Sequence, residues 1–287
     1  MEAHRWPNGE RVAVVVSVLF ESWSEGKHPA YFPRTTPLKP GAANLSASRW
    51  SEYGGNEGIW RLASILSERG IPASVFCNGL SAERYPEAVQ HAVQCGLDIA
   101  GHGYAQDQYL LDYAPEEQRA LIRRSLDALE RTSGTRAQGW VTPVYGNDRH
   151  TTGLLVEEGV KWHCDALDLS LPRLEQTPAG PIVAIPWSEF VDNRVQRGHP
   201  RAYFEVYADT FDYLYAHEHG SLLHLAIHAH FGGRPLVAAM LHRILDHVGR
   251  FGGVWFARHA EIARHTAEQA LDHPALTAHF RRGRGAL

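Results

Sequence analysis

One apolar segment near the start of the chain constrains the fold more than any other part of the sequence. Residues 12–20 read Val-Ala-Val-Val-Val-Ser-Val-Leu-Phe, a run rich in β-branched residues. It lacks the alternation of polar and apolar residues that a strand with one solvent-exposed face shows. Such a run is typical of a parallel strand that is covered on both faces. Because helices provide that cover in parallel sheets, the segment predicts an α/β fold.

Helical and strand patterns alternate along the rest of the chain. Helical spacing of apolar residues predicts helices at 58–69, 83–95 and 115–131. Strands are predicted at 71–77, 97–100, 139–142, 160–163, 182–185, 222–227 and 254–256. This alternation favours a single distorted (β/α) barrel of about seven parallel strands, and 287 residues suit one such domain.

Residues 22–57 interrupt this pattern. They lack helical periodicity and are rich in Pro, Gly, Ser and aromatic residues. Loops of this length inside compact enzymes usually carry function. We therefore expect a long loop that covers the substrate.

Charge and cysteine content exclude several classes of protein. The chain has 28 Lys and Arg against 32 Asp and Glu, a net charge of −4, so neither nucleic acid nor a membrane surface is an expected partner. The three cysteines form no CxxC pair. The first residues lack the pattern of a signal peptide, and no apolar run is long enough to span a membrane. We expect a cytoplasmic protein with a small-molecule substrate.

Polar residues follow several predicted strands at the same end. In parallel α/β folds these positions converge on one face, where active sites lie. A single histidine there is more often structural than catalytic. Independent structural residues, however, have no reason to share one end of a sheet, so the joint placement favours an active site. The residues are Glu21, His102, Asp165, Asp168, His228 and His230.

The segments around these residues resemble the polysaccharide deacetylase superfamily, whose catalytic module is the NodB homology domain. Within it they are most similar to the branch of bacterial allantoinases and cyclic imide hydrolases. The resemblance implies a distorted barrel, usually of seven strands, and hydrolysis of a C–N or C–O acyl bond. It rests on residues 20–21, 58–62, 68–76, 101–104, 165–169, 227–230, 233–235 and 254–258, taken together.

The sequence departs from that family at its metal ligands. Typical members end the first motif in two Asp and have His-x-x-x-His in the second, whereas this chain has Glu21-Ser22 and then His102 with Gln106. Serine and glutamine side chains are poor ligands for zinc. We therefore expect no cofactor. The alternative is a divalent metal such as zinc, held by Glu21 and His102.

Without metal, acids, bases and hydrogen-bond donors must open the amide. We assign Glu21 as the base, with a pKa raised by desolvation, and His228 as the acid. His102 would act by hydrogen bonding, and Asp165 would hold a histidine in its productive tautomer. The predicted substrate-binding residues are Ser22, Gln106, Tyr145, Trp187, His230 and Arg234; for Arg234 a structural ion pair is an equal alternative.

Three functions remain open at this stage. The first is hydrolysis of a non-peptide C–N bond in a small amide or cyclic amide, such as an allantoin-like ureide or a cyclic imide. The second is metal-dependent deacetylation of an N-acetylated sugar or other acylated amine. The third is a pseudoenzyme that binds a ligand without turnover. The resemblance also implies a homo-oligomer.

Overall fold

A computed structural model describes residues 5–33, 39, 44–188, 190–195 and 199–272 of the chain. Within them, nine strands form one curled sheet, and all neighbours except one pair are parallel. The strands are β1 (Val12–Phe20), β2 (Ser74–Cys77), β3 (Asp98–Gly101), β4 (Gly139–Trp140), β5 (Trp162–Ala166), β6 (Arg173–Thr177), β7 (Gly180–Pro186), β8 (Ser221–His228) and β9 (Val254–Ala257). The order along the sheet is β6-β7-β5-β4-β3-β2-β1-β8, and β9 also pairs with β1.

Helices connect most of the strands and cover the outer face of the sheet. They are α1 (Leu45–Tyr53), α2 (Ile59–Glu68), α3 (Gly79–Arg84), α4 (Pro86–Gln94), α5 (Pro115–Ser133), α6 (Thr151–Glu157), α7 (Asp192–Val195), α8 (Arg201–His217), α9 (Ala229–Gly232), α10 (Pro235–Val248) and α11 (His259–Glu268). The predicted α/β class and curled, mostly parallel sheet are confirmed. No helix in the described ranges is long and apolar enough to cross a membrane.

The β1 strand organises the sheet. All nine of its residues are buried, and it pairs with β2, β8 and β9. Successive side chains of a strand point to opposite faces. Val12, Val14 and Val16 pack in the cluster that contains the covering helices, whereas Ala13 and Val15 pack in the cluster inside the barrel. By the same alternation, odd-numbered side chains of β1 face the barrel interior.

Two sequence predictions need correction. An extra strand, β6, pairs antiparallel with β7; its short, polar and only partly buried sequence carries little of the apolar signal on which strand prediction depends. The segment 22–57 is not one loop, because it contains α1 and the beginning of a single π-helical turn, Gly54–Gly58. Asn44 caps α1 by accepting a hydrogen bond from the Ala47 amide.

Candidate active site

Glu21 lies at the centre of the site. It follows the last residue of β1 and is inward-facing by the alternation of that strand. Its side chain is buried, and three histidines surround it. Oε1 lies 3.3 Å from His102 Nε2 and 3.5 Å from His228 Nε2, while Oε2 lies 3.7 Å from His230 Nδ1. Among the described residues, Oε2 has no hydrogen-bond donor.

His228 is held from behind by Asp192, a residue that the sequence analysis did not identify. His228 Nδ1 donates to Asp192 Oδ1 at 2.5 Å, and the His228 backbone amide donates to Oδ2 at 2.9 Å. Asp192 is fully buried at the start of α7. These bonds orient the ring so that Nε2 faces Glu21, which is the arrangement that a carboxylate imposes on a catalytic histidine. Asp192 lies six residues beyond the last residue of β7, so the strand-end pattern does not identify it.

The pKa of Glu21 differs from the prediction, and that of its neighbour His228 is also shifted. Burial tends to raise the pKa of Glu21, but the charge of His228, the hydrogen bond from His102 and the charge of His230 lower it to about 2. Burial tends to lower the pKa of His228, yet the charges of Asp192 and Glu21 raise it above its usual value. The predicted raised pKa of Glu21 is therefore wrong, because neighbouring histidines outweigh desolvation.

His102 follows β3 in a turn that two glycines permit. A Cβ on Gly101 would lie 2.4 Å from the Trp140 ring, and Gly103 has a φ of +68°, which favours glycine. His102 Nδ1 donates to the Val141 carbonyl at 2.8 Å. This bond directs Nε2 toward Glu21, in keeping with a hydrogen-bonding role.

Ser22 and Gln106 are held together by Asn78, which follows β2 and was also missed from the sequence. Asn78 Oδ1 accepts from the Ser22 amide at 2.9 Å, and its Nδ2 donates to Gln106 Oε1 at 3.4 Å and to the carbonyl of His102. The Ser22 hydroxyl accepts from Ser81 at 2.8 Å. Gln106 lines the cavity described below, whereas Ser22 does not.

The structure places two predicted substrate-binding residues behind the cavity. His230 is fully buried, and its Nε2 is bonded to the Tyr31 hydroxyl at 2.8 Å. Arg234 donates to the carbonyls of His230 and Trp50, and its guanidinium lies 4.2 Å from the centre of the Tyr53 ring. Neither lines the cavity. Arg234 therefore does not bind the substrate, because its guanidinium already donates to backbone carbonyls and lies over an aromatic ring.

Among the residues that the structure describes, the carboxylate of Asp165 does not hold a histidine; only the Asp165 backbone amide contacts one, donating to His163 Nδ1 at 3.2 Å. It lies within β5, and its carboxylate accepts from the Thr142 amide and the Thr142 hydroxyl, each at 2.7 Å. The predicted orienting role is wrong because Thr142 uses both oxygens, and Asp192 takes that role instead. Asp168 is exposed and pairs with Arg173 at 2.9 Å.

These groups open into a cavity of about 530 Å³, within the usual range for small-molecule sites. Tyr145 and Trp187 both line it, as do Trp23 and Tyr31. Tyr145 and its neighbour Val144 have φ angles of +56° and +46°, which non-glycine residues rarely adopt. Strained backbone of this kind often occurs at functional sites.

Comparison with known proteins agrees with this architecture. The polysaccharide deacetylase family model matches residues 51–161. A peptidoglycan deacetylase of Helicobacter pylori is 24% identical over 74% of this chain and 84% of its own length. The structure of a probable polysaccharide deacetylase from Pseudomonas aeruginosa has a TM-score of 0.82 and 27% identity, covering 96% of each chain. That of a PuuE allantoinase has a TM-score of 0.83 and 27% identity, covering 95% of this chain and 96% of its own.

In sequence and structure the chain is thus similar to members of the polysaccharide deacetylase superfamily. This similarity supports a hydrolase of C–N bonds other than peptide bonds. The matched range 51–161 includes His102 but neither Glu21 nor His228, so the structure is needed to connect the three residues.

The metal site of this superfamily does not fit the residues present. At its ligand positions, Ser22 and Gln106 offer neutral oxygens that are already bonded to Ser81 and Asn78. In the described ranges, no three His, Cys, Asp or Glu ligand atoms around Glu21 lie within 4.8 Å of one another. The predicted alternative, zinc at Glu21 and His102, would have only two such ligands where zinc usually has three or four.

Proposed function

We propose that this chain hydrolyses a C–N bond in a small amide or cyclic amide, such as a ureide or cyclic imide, by acid–base catalysis without a metal at Glu21. The observation that carries the proposal is the buried Glu21, His228 and Asp192 network, which can supply a base and an acid without a metal ion. The PuuE allantoinase, which is similar over 95% of this chain, supports a cyclic amide as substrate.

The position of the reacting groups favours a small substrate. Glu21, His102 and His228 are 3–6% exposed at the base of the cavity. A scissile bond must therefore enter the cavity to reach them, which a compact ring does more readily than the middle of a polymer. Five aromatic side chains on the walls suit a planar ring. They are Trp23, Tyr31, Tyr109, Tyr145 and Trp187.

We assign the steps as follows. A water molecule held by the Glu21 carboxylate attacks the carbonyl carbon, and its proton passes to Glu21 as the C–O bond forms. His228, which Asp192 keeps protonated, gives its proton to the nitrogen as the C–N bond breaks. The proton on Glu21 then returns to His228. His102 Nε2 lies 3.3 Å from Glu21 Oε1 and fixes the orientation of the carboxylate.

A substrate panel tests this proposal. Purified protein is assayed with hydantoins, cyclic imides, ureides and N-acetylated sugar oligomers, with and without added zinc. We expect ring opening that zinc does not increase, and a loss of at least about 100-fold in kcat for Glu21→Gln. Acetate release that requires added zinc would instead support the metal-dependent deacetylase. Absence of turnover on the whole panel, with ligand binding retained, would support a pseudoenzyme.

A further inference from the structure

A second group of polar side chains lies deeper in the barrel, and the proposed reaction does not use it. Ser17 lies on β1, Cys164 on β5 and His224 on β8, and His259 begins α11. All four are buried, and none lines the cavity above Glu21. His224 precedes His228 by four residues on β8, which corresponds to about 13 Å along the strand.

The potential ligand atoms of this group converge. Nε2 of His224 lies 3.5 Å from Nε2 of His259. The Sγ of Cys164 and one nitrogen of each histidine all lie within 4.8 Å of one another, and this is the one such set of three in the described part of the chain. Two nitrogens bound to one tetrahedral zinc at 2.0–2.1 Å would be about 3.4 Å apart. The spacing of the two histidines therefore already matches that of a shared ion.

The outer nitrogens are fixed in the way that metal-binding histidines usually are. His224 Nδ1 donates to the Pro186 carbonyl at 2.7 Å, and His259 Nδ1 lies 2.9 Å from the Ser74 hydroxyl. A second-shell hydrogen bond at one nitrogen leaves the other nitrogen free to bind a cation. Trp162 stacks on His259 with ring centres 5.2 Å apart, and this contact also fixes the position of the His259 ring.

Ser17 lies between the two inner nitrogens. Its hydroxyl oxygen is 2.6 Å from His224 Nε2 and 3.1 Å from His259 Nε2. Without a cation it links the rings by hydrogen bonds. With one, Cys164 and the two histidines would be the protein ligands, and the neutral hydroxyl, a poor zinc ligand, would lie beside the fourth position.

We propose that Cys164, His224 and His259 form a buried structural site for a thiophilic divalent cation of the zinc class, with the Ser17 hydroxyl beside its fourth position. The ion would join β5, β8 and the start of α11 beneath the catalytic residues. It would be distinct from the superfamily's metal position at Ser22, His102 and Gln106, where the ligand set is incomplete.

The charges of the group are compatible with this role. Burial lowers the pKa of His224 to about 4 and that of His259 well below its usual value, so both rings are neutral, the form that binds metal. Burial and the charge of Asp165 raise the pKa of the Cys164 thiol. The cation must therefore displace the thiol proton, and one proton is released for each ion bound.

Metal content and thiolate absorption test the site. The whole chain is produced in zinc-supplemented medium without chelators, and metal is measured by mass spectrometry. We expect about one ion per chain after dialysis. Protein produced with cobalt should show thiolate-to-cobalt charge-transfer absorption in the near ultraviolet. Cys164→Ser should abolish this absorption, whereas Cys95→Ser, on the partly exposed end of α4, should retain it.

Each outcome decides the assignment. Absence of metal from folded wild-type protein would overturn the proposal and leave a hydrogen-bond network through Ser17. Persistence of the absorption in Cys164→Ser would also overturn it. If Cys164→Ser does not fold, the double variant Glu21→Gln, His102→Gln serves instead, because it should retain the ion, and its loss there would place the metal in the cavity. None of these measurements depends on enzymatic activity.

Discussion

Two histidines of β8, four residues apart, lie in different layers of the barrel, and their pKa values shift in opposite directions. In the upper layer, His228 has the carboxylates of Asp192 and Glu21 as neighbours, and its pKa is raised. In the lower layer, His224 bonds to the Ser17 hydroxyl and a backbone carbonyl, and its pKa is lowered to about 4. Both rings are buried. The partner, rather than the depth of burial, thus decides which layer can donate a proton at neutral pH.

Removing the Asp192 carboxylate should reduce the difference in pKa between His228 and His224. Asp192→Asn leaves His228 facing Glu21 but without its second negative neighbour, so we expect kcat to fall about 10²- to 10⁴-fold. Because the pKa of His228 is raised in the folded protein, its acid form persists above pH 6.5 and is lost as pH rises through that raised value. The alkaline limb of the pH–rate profile should therefore move to lower pH in Asp192→Asn.

The matched control is Asp168→Asn, which removes an exposed carboxylate paired with Arg173. It should leave both kcat and the alkaline limb unchanged. Histidine titration by nuclear magnetic resonance gives a second measurement that needs no substrate. An unchanged His228 titration in Asp192→Asn would refute the role of Asp192.

The lower layer should respond to pH in the opposite direction. The folded pKa of His224 lies below the unfolded value of 6.5, so its contribution to stability is present above pH 6.5 and is lost as pH falls toward 4. Between pH 7 and 5 this corresponds to about 2 kcal/mol. A bound cation would not change the direction, because protons compete with metal for the same nitrogens.

Urea denaturation at the two pH values measures this effect. His224→Gln should be less stable than wild type at pH 7, with a smaller loss on acidification. His217→Gln, at the exposed end of α8, should keep the wild-type pH dependence. If His224→Gln and wild type lose equal stability between pH 7 and 5, the ring is not held neutral by burial.

The parts of the site that are predictable from sequence are those fixed by strand periodicity. The apolar run of β1 locates Glu21, and the last residues of β8 locate His228, because inward-facing side chains at strand ends converge. The glycines around His102 identify its turn. Fold class follows from the same alternation of strands and helices.

The parts that sequence reasoning missed depend on contacts between distant segments. Asp192 belongs to a four-residue helix, too short for a periodic pattern, and its role exists only because α7 packs beside β8. Asp165 was misassigned because β5 continues to Ala166, which places its carboxylate against Thr142. The charge state of Glu21 depends on three histidines from two other segments, which spacing alone does not reveal.

A smaller effect on stability is expected at Val144, which lies at the wall of the cavity. Val144 has φ +46° and ψ +25°, yet it is 58% exposed and therefore gains little from packing. Left-handed backbone at such a residue costs about 1–3 kcal/mol, and glycine adopts it freely at an entropic cost of about 0.5–1 kcal/mol. Val144→Gly should therefore stabilise the fold by about 1 kcal/mol, measured as a rise in Tm. Val93→Gly, in the ordinary helical backbone of α4, should lower Tm instead.

The same substitution tests whether the strain serves the site. Tyr145 follows Val144 and lines the cavity with its own left-handed φ of +56°. If the strained pair holds the Tyr145 ring against the substrate, Val144→Gly should raise KM several-fold while kcat stays near the wild-type value, because the Glu21 and His228 network is not altered. A more stable variant with unchanged KM would show that the strained backbone at Val144 and Tyr145 does not contribute to substrate binding. Only the residues at the strand ends, Glu21 and His228, would then be preorganised for the reaction.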